Sequence, residues 1–212
     1  MTKIIKSISE SIGCFISYIC PIKSSKLMRA VVSHIYTGYL KNKFKEFGDN
    51  SVISYRAHEL HGLKHISIGC GTQICQYAQL CAWNNYQGEV YHPTIIIGNN
   101  CIIREQAHIS AIGSIIIGNN LLTGTNVLIS DNTHGNNIPE ELSTPPVSRP
   151  LHSKGPITIG DNVWLGNNVC IMPGVSIGDG AIIGANAVVT HDIPAYSIAV
   201  GIPAQVIKKK EN

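Results

Sequence analysis

Between Pro156 and Thr190 the chain repeats itself every six residues. Ile159, Leu165, Ile171, Ile177, Ile183 and Val189 fall on one lattice, and all are large aliphatics. Val163, Val169, Val175, Ala181 and Ala187 each stand two positions before one of these, so a second lattice holds only small apolar side chains. Gly160, Gly166, Gly178 and Gly184 follow four of the six aliphatics. An α-helix repeats every 3.6 residues and an ordinary strand every 2, so neither gives a strict six. A repeat this short, burying one large and one small side chain per unit, describes a β-solenoid. Each unit is one short strand and one turn. Three units close a triangular coil, and coils stack at the spacing of paired strands, about 4.8 Å. The large aliphatic points into the prism and the small residue sits at the corner. Gly and Asn take the corner backbone angles that other residues resist.

The lattice extends backwards from this stretch. It settles at Ile68-Gly69, with Ile74 and Leu80 as large positions, and resumes at Ile97-Gly98 with Ile103 and Ile109. Two stretches do not fit and read as loops: residues 84–94, and residues 135–155, whose Pro139, Pro145, Pro146 and Pro150 should keep it out of any sheet. A two-residue bulge is expected near Gly113-Ser114. After Thr190 the chain should leave the prism, and 201–212 reads as a tail with basic residues Lys208 to Lys210. The solenoid domain is therefore placed at 47–200. Residues 1–46 form a basic, amphipathic helical segment: Ile4, Ile5, Ile8, Ile12, Phe15, Ile16 and Ile19 share one helical face, and Pro21 ends that helix. A second helix follows from about Ser24. Such a segment can cap the solenoid's first coil or lie on an anionic membrane.

Composition excludes several classes. A net charge of +3 is too small to argue for nucleic acid. Seven cysteines with no C-x-x-C pair read as reduced, packing thiols, which points to the cytoplasm. Glu10 interrupts the N-terminal apolar run, which argues against a signal peptide, and no uncharged run reaches the length of a membrane span.

Three local patterns carry a resemblance: Ser130-Asp131-Asn132-Thr133-His134-Gly135, Ile159-Gly160-Asp161-Asn162-Val163-Trp164-Leu165-Gly166, and Gly201-Ile202-Pro203-Ala204. With the repeat, they make residues 47 to 210 resemble the hexapeptide-repeat acyltransferases, in particular their sugar and polysaccharide O-acetyltransferase branch. The resemblance implies a mainly β fold, a left-handed parallel β-helix, assembled as a homotrimer with each active site between two subunits. It implies acetyl-CoA as co-substrate and no metal. It puts the catalytic base at His134 and an oxyanion donor at Asn167. Trp164 would lie beside the acyl end of the coenzyme, backbone near Ala185 beside the pantetheine arm, and Thr190, His191 and Lys208 at the nucleotide end.

Imidazole suits O-acetyl transfer, because an unperturbed pKa near 6.5 lets it take a proton from a hydroxyl and return it to a thiolate. Asp131 and Glu105 are candidates to hold its tautomer, and His108 to line the acceptor pocket. Where the small-sugar branch has an Asn and an Asp on the coil before the histidine, this chain has Arg104 and Ile112. The acceptor is therefore expected to be a sugar of a bacterial surface glycan, nucleotide- or lipid-linked, which fits an enzyme peripheral to the inner face of the cytoplasmic membrane. Two other readings of the fold compete. A metal enzyme of the γ-carbonic-anhydrase kind would use an H-x-x-x-x-H pair, and none of the nine histidines makes that spacing. A non-catalytic binding solenoid would leave His134 and Trp164 unexplained.

Overall fold

The computed structural model describes residues 2–19, 22–136 and 138–209. Pro21 and Lys210 lie outside these residues. Three parallel sheets form the walls of a triangular coil, and the chain visits them in turn. The first coil is complete: Glu46–Phe47 lies in the first sheet, Val52–Ile53 in the second and Glu59–His61 in the third. The stretch 54–65 is thus more regular than its sequence suggests. Every large and small lattice position from Ile159 to Val189 is buried, so the core is one continuous column of aliphatics. Each buried Ile or Leu contributes about 1.5–3 kcal/mol of transfer free energy.

The corners divide their work between two residue types. Asn100, Asn120, Asn126, Asn162, Asn168 and Asn186 take the left-handed backbone conformation, with φ between 54° and 61°. Gly166 does not. Its α-carbon faces the next coil, where a Cβ would come within 2.6 Å of Ala185 N. These glycines permit close stacking, and asparagine makes the turn. The same corners carry a side-chain ladder down the first edge of the second sheet. Asp179 Oδ1 accepts from Asp161 N, 18 residues away, and Asn119 Oδ1 accepts from Asn99 N, 20 residues away. Asp161 Oδ1 accepts from Asn119 N across 42 residues, because residues 135–155 intervene.

Both irregular stretches are structured. In 84–94, Asn85–Tyr86 pairs antiparallel with Glu89–Val90 as a hairpin. In 135–155, Leu151–His152 pairs antiparallel with Thr133–His134, so the four prolines do not exclude pairing at its end. The expected bulge lies at Ile112–Gly113. Asp131, fully buried, accepts from both Ile112 N and Gly113 N at 2.9 Å. The coil also runs further than expected. Ser197–Val200 rejoins the second sheet beside Ile182–Ile183, and Gln205–Lys209 closes it antiparallel, so Lys208 belongs to a strand.

Helix α1 (Thr2–Ile19) and helix α2 (Ile22–Leu40) precede the coil. The edge strand Val52–Ile53 would present unpaired amides. Helix α2 covers it: Thr37 Oγ1 accepts from Ile53 N at 2.9 Å and Ser33 Oγ from Tyr55 N at 3.1 Å. Leu40 and Phe44 join the core below. The opposite stripe of α2 (Met28, Val31, Ile35, Tyr39) stays exposed, as does the α1 face of Ile5, Ile8, Ile12, Phe15 and Ile16. No described helix is long and apolar enough to cross a membrane.

Candidate active site

His134 stands where the third sheet hands the chain to the first. The two-stranded ribbon Thr133–His134 with Leu151–His152 fixes its backbone, and Gly135 N closes the ribbon on Pro150 O at 2.8 Å. Gly135 has φ +80°, and a Cβ there would lie 2.7 Å from Glu141 Oε2 and 2.8 Å from Arg149 Cδ. That explains why glycine follows the histidine. Arg149 turns into its own loop, donating to Thr144 O (2.8 Å) and Leu142 O (3.2 Å).

The exposed imidazole sits at the rim of a pocket of about 240 Å³ on the outer face of the third sheet. Glu59, His108, Ser110 and Ser130 rise from that sheet's strands, and Asn132 and Leu151 close one side. Asn132 Nδ2 is held by Ser110 O at 3.1 Å. Burial pushes the His108 pKa below its ordinary value, with the Glu59 charge opposing, so His108 is neutral at neutral pH. The other side is aromatic. The Trp83 ring stacks on His61 at 4.3 Å and meets Tyr86 edge-on, and Tyr86 meets His134 edge-on.

Tyr86 belongs to the 84–94 hairpin, which grips the loop after His134. Tyr86 Oη and Gln87 Nε2 both donate to Val147 O, at 2.9 and 3.0 Å. Tyr91 Oη donates to Leu151 O and accepts from Leu151 N, at 3.1 and 2.9 Å. The loop is therefore pinned from within the chain. Sequence reasoning placed His134 and His108 in one pocket and missed Glu59, His61, Trp83, Tyr86 and Asn132. A signal existed for the aromatics: Trp83, Tyr86 and Tyr91 cluster in and beside one broken stretch of a chain with 6% aromatics.

The remaining expected residues divide into groups. Asp131 does not reach His134 or the pocket, because both its oxygens are taken by Ile112 and Gly113. Arg104 and Glu105 pair with each other at 3.0 Å at the far edge of the third sheet, so within one chain they do not line the His134 pocket either. Trp164 lies on the strand Trp164–Leu165. It is half exposed on the outer face of the second sheet, in register with Leu122 and Ile182. Ile198 and Lys208 continue that row. Asn167 and the Ala185 backbone lie at the corner between the second and third sheets, where Asn167 Oδ1 accepts from Thr125 N at 3.0 Å. Thr190 and His191 share His134's corner two coils later, 2.9 Å apart. The width of the third sheet, on the order of 15 Å of extended chain, separates Asn167 from His134 within one chain.

A protein-family model for the bacterial transferase hexapeptide, six repeats, matches residues 156–191. Residues 156–191 carry that repeat. The hexapeptide coil is also similar to WbbJ of Escherichia coli K12, named as a lipopolysaccharide biosynthesis O-acetyl transferase, at 39% identity over 54% of this chain and 60% of WbbJ. It is 39% identical to the galactoside O-acetyltransferase of the same organism over 56% of each chain. The matches span about half to three fifths of the length of these curated relatives. Among solved structures it resembles AntD, an N-acyltransferase from Bacillus cereus in complex with dTDP and 3-hydroxybutyryl-CoA. The TM-score is 0.66 at 21% identity, over 82% of this chain and 88% of that one. That likeness makes the hexapeptide coil a left-handed parallel β-helix, a hand that the repeat alone leaves open. Among the described residues no three His, Cys, Asp or Glu side chains are grouped as a metal site would need.

Proposed function

We propose that the chain transfers an acetyl group from acetyl-CoA to a hydroxyl of a sugar, with His134 as general base. The observation that carries this is the setting of His134: a rigid ribbon holds an exposed imidazole over a small pocket whose walls suit a sugar ring. The Trp83 ring offers an apolar face, and Glu59, Asn132 and the neutral His108 offer hydrogen bonds to hydroxyls. In the reaction His134 takes the acceptor proton as the sugar oxygen attacks the thioester carbon. The C–O bond forms, the C–S bond breaks, and the proton passes to the departing thiolate. The named O-acetyltransferases among the relatives favour oxygen as the nucleophile. AntD's complex with dTDP and the match to WbbJ favour an activated sugar, nucleotide- or lipid-linked, on the way to a bacterial surface glycan.

The same reading makes the working unit a homotrimer. An oxyanion donor and a base must both come within about 3 Å of one reacting group. Asn167 and His134 stand at opposite edges of one sheet, so they meet only across two chains. The coenzyme then lies in the cleft between them, with Trp164, Ala185 and Lys208 on one wall and Thr190 and His191 on the other. Helices α1 and α2 expose their apolar stripes beside Lys6, Lys26 and Arg29. They suit an anionic lipid surface, which supports a reading in which the enzyme is peripheral to the inner face of the cytoplasmic membrane.

Acceptor-dependent release of CoA thiol from acetyl-CoA, screened over nucleotide sugars and lipid-linked glycans, tests the proposal. His134→Ala should lower the rate roughly 10²–10⁴-fold. No acceptor-dependent release with any member of the panel, or a His134→Ala variant at the wild-type rate, refutes it.

A further inference from the structure

A base acting through one ring nitrogen must carry its proton on the other. Which tautomer an imidazole adopts is set by the hydrogen bond that the second nitrogen makes. In His134 that second nitrogen is Nδ1, and the polar side-chain atom facing it is the phenol oxygen of Tyr86, at 3.5 Å. Neither carboxylate expected from the sequence reaches it. Asp131 is engaged by two backbone amides and Glu105 by Arg104 on another edge of the sheet.

Tyr86 has one hydroxyl proton, and its destination is visible. It points to Val147 O at 2.9 Å, where Gln87 Nε2 also converges. With that proton committed, the phenol oxygen can only accept from Nδ1. We infer that Tyr86 is the positioning residue of the site: it holds His134 as the Nδ1–H tautomer and leaves the Nε2 lone pair to take the acceptor proton. The distance is long for a hydrogen bond in the resting protein, and bonds of this kind shorten when substrate is bound. The ring-on-edge packing of Tyr86 against His134, centroids 5.5 Å apart, keeps the imidazole plane in place. The 84–94 hairpin then does more than fill a gap in the coil. It brings to the base a group that the hexapeptide lattice cannot supply, since lattice side chains point straight in or straight out.

The inference rests on His134 being the base, so its test has a readout independent of turnover. Histidine-labelled protein at pH 8 would be examined by 15N–1H correlation, with His134 assigned from its absence in His134→Gln. Wild type should show Nδ1 protonated. Tyr86→Phe keeps the ring and loses only the hydroxyl; His134 should move towards the Nε2–H form that free imidazole prefers. In turnover, kcat should fall roughly tenfold with the acetyl-CoA KM unchanged. Gln87→Ala removes the other bond to Val147 O and should leave the tautomer as in wild type. An unchanged tautomer in Tyr86→Phe overturns the inference. So does an equal change in Gln87→Ala, because loop placement and not the hydroxyl would then be in control. A changed tautomer with wild-type kcat supports the role of Tyr86 in holding the ring and sinks instead the assignment of His134 as base.

Discussion

Asp131 and His134 sit three residues apart, and their substitution should have opposite consequences. Asp131 is fully buried, with each oxygen 2.9 Å from a backbone amide of the preceding coil. Asp131→Ala would strand Ile112 N and Gly113 N without partners, each at about 1–3 kcal/mol. Denaturant titration should therefore show a loss of about 2–6 kcal/mol, while His134→Ala, at an exposed position, should stay within about 0.5 kcal/mol of wild type. If Asp131→Ala unfolds at the wild-type midpoint, the bulge does not depend on it. The motif Asp-x-x-His was legible in the sequence, and the roles of its two members were only half so. Residue type points to a carboxylate beside a catalytic histidine as its partner. The coil instead turns Asp131 inward to the previous layer, and only three-dimensional register reveals that. The same holds for the corners. Asparagine and glycine both marked turns in the sequence, yet Asn162 bends the chain while Gly166 makes room for Ala185.

Helix α2 and the 84–94 hairpin are the two elements that the six-residue lattice could not announce. Their function lies in bonds to residues far away in the chain. The helix seals the first coil through Ser33 and Thr37, small polar residues that an apolar-periodicity argument passes over. A cut that takes the whole N-terminal segment should therefore fail. Deleting residues 1–46 also removes Leu40 and Phe44 from the core and bares the Val52–Ile53 edge, so the product should aggregate. Deleting residues 1–21 leaves the seal intact and should give a folded, active coil that no longer floats with anionic vesicles, while wild type does. Soluble, monodisperse protein from the 1–46 deletion would show that the edge needs no cover. Unchanged vesicle binding by the 1–21 deletion would remove α1 as the lipid-facing element. The broken stretch at 84–94 was legible as an interruption, whereas its hairpin and its grip on Val147 and Leu151 were not. No local pattern connects Tyr86 to a loop about sixty residues later.

At the scale of the whole molecule, the lattice determines the prism but says nothing directly about what stands beside it. On the proposed reading, the candidate site is divided between two corners. His134 and Thr190-His191 lie at the corner joining the third sheet to the first, and Asn167 and Ala185 at the corner joining the second to the third. A site using both corners at one reacting carbon needs a second copy, and a cyclic arrangement of three gives three equivalent clefts. Light scattering at micromolar concentration should return a trimer, but mass alone does not say whose residues meet. Mixing subunits does. His134→Ala and Asn167→Ala proteins should each be nearly inactive as homotrimers. Unfolded together and refolded as an equimolar mixture, a shared cleft takes its base from one chain and its oxyanion donor from the next, so about one cleft in four regains both wild-type residues. Activity should return to roughly a quarter of wild type. A cleft built within one chain regains nothing, because every chain in the mixture still lacks one of the two groups. Recovery near zero, with mixed trimers verified by mass, would place both groups' work within one subunit and leave the trimer without a catalytic reason.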